Sequence, residues 1–161
     1  MKKQKISKAL ALAFKVLTFS FGILGLIMLV LIFATPDIMV IGIQGINICA
    51  GDITLEDRII MSGFVLVTVF LAILTASFLA RAFSSLSNMR SKEKILGFFE
   101  NSGYIILAWA IYSIGEKISM PFFNIITAQN HIVKAYYGDA IMLFFVGLVI
   151  VIASVVYRKS I

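Results

Sequence analysis

Trp109-Ala110-Ile111-Tyr112-Ser113-Ile114-Gly115-Glu116-Lys117-Ile118-Ser119-Met120-Pro121 is the stretch on which the reading of this chain turns. It belongs to the third of four long apolar runs, Tyr104 to Phe123, and no other run holds an ionisable pair between its flanks. An apolar half gives way to a polar half that a proline ends. Glu116 and Lys117 have to be reconciled with surroundings that otherwise read as lipid-facing. Ionisable residues inside a membrane span are costly and mark functional sites by default. At helical spacing Trp109, Tyr112, Ser113 and Glu116 share one face, and Ser113 also lies four residues before Lys117. These five are the candidate intramembrane residues. Glu116 falls about one and a half turns from the helix end. Lys117 can therefore snorkel to the headgroups, while the shorter Glu116 faces the bundle.

Composition sets the context. Of 161 residues 61% are apolar and only 14% charged, with a mean hydropathy of +1.04. A soluble domain of this length carries an apolar share near half and a charged shell. Here the excess collects in runs long enough to cross about 30 Å of hydrocarbon at 1.5 Å per residue. The expected architecture is a single all-α membrane domain, a four transmembrane helix bundle with spans at about 10–34, 59–83, 102–123 and 140–157.

The first run follows Lys2, Lys3, Lys5, Lys8 and Lys15 and ends at Pro36-Asp37. It is longer than the 7 to 15 apolar residues of a secretory signal, so it reads as an uncleaved span. Thr18, Gly22 and Gly25 form a small-residue face on it, and Thr68, Ala72, Ala76 and Ala80 form one on the second span, each suited to close helix approach. In the first outer loop, Ile41 to Ile48 alternates large with small or polar residues, the period-2 signature of a short strand or hairpin at the membrane surface. Thr54 and Asp57 make a capping box for the second helix. That span closes on Arg81 and a serine-rich turn, Ser84 to Asn88.

Between the second and third spans, Arg90, Lys92 and Lys94 adjoin Phe98 and Phe99. Read on a helix, Ile95, Phe98 and Phe99 face away from the charges, which suits either an amphipathic segment in the headgroup layer or an ordinary connector. These cations and aromatics are the candidate contacts for lipid or a cytoplasmic partner. The second outer loop holds Gln129, Asn130, His131, Lys134 and an interfacial tyrosine pair, Tyr136 and Tyr137.

Cations assign the sides. With both termini and the Arg81 to Glu100 loop in the cytoplasm, that face collects Lys2, Lys3, Lys5, Lys8, Lys15, Arg81, Arg90, Lys92, Lys94, Arg158 and Lys159. The outer face keeps Arg58, Lys117 and Lys134. Lysine and arginine near span ends set orientation, so the expected location is the plasma (inner) membrane of a bacterium. The charge of +6 is thus a topology signal, and no direct nucleic-acid partner is expected.

Catalytic patterns are missing. A lone cysteine, Cys49, allows neither an intramolecular disulfide nor a cysteine-rich zinc site, and one histidine, His131, makes no cluster. No glycine-rich phosphate loop or His-Glu-x-x-His occurs, and the carboxylates Asp52, Glu56, Asp57 and Glu116 form no acid and base pair by spacing. A non-enzymatic protein without cofactor or metal is expected.

The layout, with Phe83-Ser84-Ser85-Leu86-Ser87-Asn88-Met89-Arg90 followed by Gly97-Phe98-Phe99-Glu100-Asn101-Ser102-Gly103-Tyr104, resembles the bacterial four-span family called domain of unknown function 2975. Members of that family are often encoded beside a small helix-turn-helix regulator. The resemblance implies a membrane-bound sensor or partner for such a regulator, with membrane lipids as the other partner. It supplies no catalytic residue. Two other classes remain open on the residues: an accessory or immunity protein binding a larger membrane protein, and a small ion-coupled transporter subunit that uses Glu116 and encloses its path by oligomerising.

Overall fold

Four helices, α1 (Lys2–Ala34), α2 (Leu55–Ser87), α3 (Lys92–Ser119) and α4 (Gly138–Lys159), build the protein. The computed structural model describes residues 2–34, 40–41, 47–48, 55–88, 91–119 and 138–160. All four helices are long and apolar enough to cross a membrane. The chain is therefore an all-α, multi-pass membrane protein with a four-helix bundle. Its surface agrees with that setting: Phe19 is 78% and Met142 70% exposed, an arrangement that water would penalise and lipid tails do not.

The helices pack in chain order, α1 on α2, α2 on α3 and α3 on α4. With no hydrophobic force between helices in lipid, close approach depends on small side chains and complementary surfaces. Thr68, Ala72, Ala76 and Ala80 are all buried, as their spacing of four predicts. On α4 the buried residues Ala140, Gly147 and Ser154 recur every seven, the stripe of a left-handed crossing. The face expected on α1 is only partly used. A Cβ on Gly25 would meet Val69 at 2.8 Å, but one on Gly22 would meet nothing within 4 Å. Ser7, Ala11 and Ile32 complete the buried side of α1.

Hydroxyls inside the bundle mostly return to their own helices. Thr18 donates to the Phe14 carbonyl oxygen at 2.8 Å, Ser62 to Arg58 at 2.8 Å and Ser102 to Phe99 at 2.7 Å. Such bonds satisfy polar side chains where no water is at hand. Aromatic contacts tie three helices together at one end. Phe14 stacks on Phe83 with centroids 5.6 Å apart, and Phe99 meets the same Phe83 ring edge-on at 5.4 Å.

Several boundaries differ from the sequence reading. Helix α1 extends beyond the expected span of about 10–34 and begins at Lys2, because nothing between Lys2 and Val16 breaks a helix and its cations tolerate the headgroup layer. Helix α2 runs through the serine-rich segment to Ser87, with the turn only at Asn88. Ser87 there donates to the Ser84 carbonyl oxygen at 2.8 Å, a local bond that offsets the weak helix preference of serine. The stretch after it is neither a separate surface helix nor a connector. Backbone N–H groups of Lys94 and Ile95 bond the Ser91 carbonyl, and α3 then continues unbroken to Ser119. An amphipathic pattern fits both arrangements, and the absence of proline between Lys92 and Ser119 lets the longer helix form.

Outside the helices, Val40–Ile41 and Asn47–Ile48 pair antiparallel, Val40 with Ile48 and Ile41 with Asn47. The pairing is two residues long on each side, and residues 42–46 lie outside the described residues. So do Thr54, Cys49, His131, Tyr136 and Tyr137. Helix α2 starts at Leu55, directly after the expected cap.

Candidate functional site

Residues that α3 turns toward α2 form a polar stripe. Tyr112 reaches across and donates its hydroxyl to the Phe64 carbonyl oxygen at 3.2 Å, with the two rings 6.3 Å apart and tilted by 49°. The Thr68 hydroxyl and the Glu116 carboxylate are the electrostatic neighbours of that phenol. Ser113 is completely buried, and Trp109 and Glu116 are half-buried. Four of the five intramembrane candidates thus lie where the helical spacing puts them, on the packed side of α3. The fifth, Lys117, has a side chain outside the described residues.

This stripe can bind and orient protons. It offers a phenol, a carboxylate and two hydroxyls, Thr68 and Ser113, around one level of the α2 and α3 interface. Two polar atoms, Trp109 Nε1 on α3 and Thr75 Oγ1 eleven residues beyond Phe64 on α2, are buried without a hydrogen-bond partner among the described residues. A buried donor left unpaired costs roughly 1 to 3 kcal/mol. Among the described residues, no three His, Cys, Asp or Glu side chains come together as a metal site would need.

The second candidate group divides. Lys92 and Lys94 are exposed at the start of α3, while Arg90 lies outside the described residues. Phe98 and Phe99, the aromatic candidates for lipid or partner contact, are half-buried and both touch α2. Phe98 tilts against Phe78 at 6.4 Å, and Phe99 meets Phe83. The physical reason is the continuation of α3, which holds this segment upright beside α2 and converts its apolar side into a helix contact.

Two interactions at the helix ends were not legible in the sequence. Arg58, in the first turn of α2, donates through Nη1 to the Ile32 carbonyl oxygen near the end of α1. It satisfies a carbonyl that the helix itself leaves open. Glu100 on α3 pairs with Arg158 on α4, joining the third and fourth helices at the end where both carry charge. A charge excess near span ends hinted at neither, because the partners are 26 and 58 residues apart.

Comparison with family models, with curated proteins and with solved structures finds no match.

Proposed function

We propose that this protein is a non-enzymatic membrane partner or sensor that engages a cytoplasmic regulator through the α2 and α3 ends. The observation that carries the reading is the length of that helix pair. Helix α2 has 33 residues and α3 has 28, about 50 and 42 Å at 1.5 Å per residue, against about 30 Å of hydrocarbon. With Arg81 at the cytoplasmic boundary, the remainder of α2 and the start of α3 stand clear of the membrane. They form a helical hairpin that presents Lys92 and Lys94 to solvent.

Exposed lysines there suit an acidic protein surface, and the plasma membrane with cytoplasmic termini is the setting that the cation distribution favours. The test is copurification in mild detergent, with Arg90, Lys92 and Lys94 changed together to Gln. A partner docked at the tip is lost from this variant and dissociates in high salt, where the Debye length falls from about 10 Å at 0.1 M to about 3 Å at 1 M. A cytoplasmic partner indifferent to both treatments places its site elsewhere. Partners found only within the membrane or on the outer face favour the accessory-protein reading.

The polar stripe supports a second reading, an ion-coupled subunit. Its specific observation is a carboxylate, Glu116, half-buried beside the Tyr112 phenol in an apolar helix pair.

A further inference from the structure

Lys15 on α1 and Arg81 on α2 are distant in sequence, yet both line one cavity of about 580 Å³. The hydroxyl-bearing side chains Thr18, Ser77, Ser84 and Ser85 line it too. Among the described residues no carboxylate lines this cavity, and neither Lys15 nor Arg81 has an ion-pair partner. Thr18 donates its proton to the Phe14 carbonyl oxygen, so two cations and the three serine hydroxyls of α2 are the groups that suit a phosphate in a space of that size. The Arg81 guanidinium lies 5.8 Å from the Phe78 ring centroid, a stacking that restrains it without neutralising it.

The level of the cavity in the membrane says which phosphate. From Lys15 to the end of α1 at Ala34 is about 29 Å, and from Arg58 to Arg81 on α2 about 35 Å, at 1.5 Å per residue. Each length matches a hydrocarbon layer of about 30 Å. Lys15 and Arg81 therefore stand together at the membrane surface, the depth at which lipid phosphates lie. Phe19 and Phe98 complete the wall, and Phe19 is among the most exposed side chains of α1. That gives an acyl chain an apolar path along the helix below the phosphate. Basic pockets between spans on the cytoplasmic side favour anionic headgroups.

We propose that this cavity binds the headgroup of one anionic phospholipid, with Lys15 and Arg81 holding its phosphate and the hydroxyls of α2 completing the hydrogen bonds. The site is independent of the partner reading above, because it asks only that the two cations stand at the membrane surface.

The test uses the full-length protein, delipidated in a neutral detergent and titrated with phosphatidylglycerol, phosphatidylcholine or inorganic phosphate, with bound molecules counted by native mass spectrometry. One phosphatidylglycerol should be retained in preference to phosphatidylcholine. In the Lys15→Gln, Arg81→Gln variant its affinity should fall about thirtyfold, as expected from about 1 kcal/mol per cation. Lys15→Arg with Arg81→Lys keeps the charges and should retain the lipid, and Lys159→Gln, an exposed cation that does not line the cavity, should be neutral. Ser77→Leu, which fills the cavity and leaves both cations, should also release the lipid, so the site remains testable if the double Gln variant does not fold. Unchanged retention after the Gln and Leu changes, or equal binding of phosphatidylcholine, overturns the proposal. Inorganic phosphate that binds alone and displaces the lipid overturns the lipid assignment and leaves a soluble anion in its place.

Discussion

Gly103 on α3 and Gly147 on α4 bring their backbones into contact: a Cβ built on Gly147 would lie 3.0 Å from the Gly103 carbonyl oxygen, and one on Gly103 would lie 3.2 Å from that of Gly147. Leu107 closes the same contact, with its backbone nitrogen 3.0 Å from the Cβ position of Gly147. Backbone atoms cannot rotate aside as a side chain can.

Gly147→Ala should therefore push α4 off α3 at a cost of about 1 to 3 kcal/mol, the range for forcing a methyl into a packed interface. Gly22→Ala is the matched control, since its Cβ meets nothing within 4 Å, and it should be neutral or raise stability by about 0.5 to 1 kcal/mol through helix propensity. Thermal unfolding of both variants in detergent decides the matter. Equal stability of the two would show that the α3 and α4 crossing relaxes freely.

Glu116 separates the ion-coupled reading from a structural carboxylate. Glu116→Gln keeps the size and hydrogen bonding of the side chain and removes its charge. If an ion is coupled at this site, uptake or flux in reconstituted vesicles vanishes while the helix content stays unchanged. Full function in Glu116→Gln, with impairment only in Glu116→Leu, assigns the residue to packing against Tyr112 and α2.

The pair between Glu100 and Arg158 should contribute little alone. Arg158 is 47% exposed at its side chain and Glu100 15%, and pairs open to water measure about 0.2 to 1 kcal/mol. A double-mutant cycle with Glu100→Gln and Arg158→Gln should return a coupling in that range, and raising the salt should shrink it. A coupling above about 3 kcal/mol would place the pair in a dry environment that its exposure contradicts.

Orientation can be read by thiol labelling. Cys49 should react with a membrane-impermeant reagent added to cells stripped of any outer membrane. In a Cys49→Ser background, Ser91→Cys should react only after lysis. Ser91 is exposed and so open to the reagent. Labelling of Ser91→Cys in intact cells inverts the topology.

What the sequence by itself determined is the number of spans, their apolar lengths and the faces on which small residues recur. Run length and spacing are local properties, and the hydrocarbon thickness reads them directly. Thr68, Ala72, Ala76 and Ala80 are buried as a stripe for the same reason, and so Trp109, Tyr112, Ser113 and Glu116 share a face. Only the tertiary structure decided what those faces meet. In a membrane the outward side is as apolar as the packed side, so composition around a helix cannot say which side a neighbour covers. Phe98 and Phe99 show the consequence: their pattern suits a lipid surface equally well, and the uninterrupted helix from Lys92 turns them onto α2. The antiparallel register of α1 and α2 likewise brings Lys15 to Arg81 and Ile32 to Arg58. No local pattern encodes those meetings, because each depends on two helices crossing at a particular height.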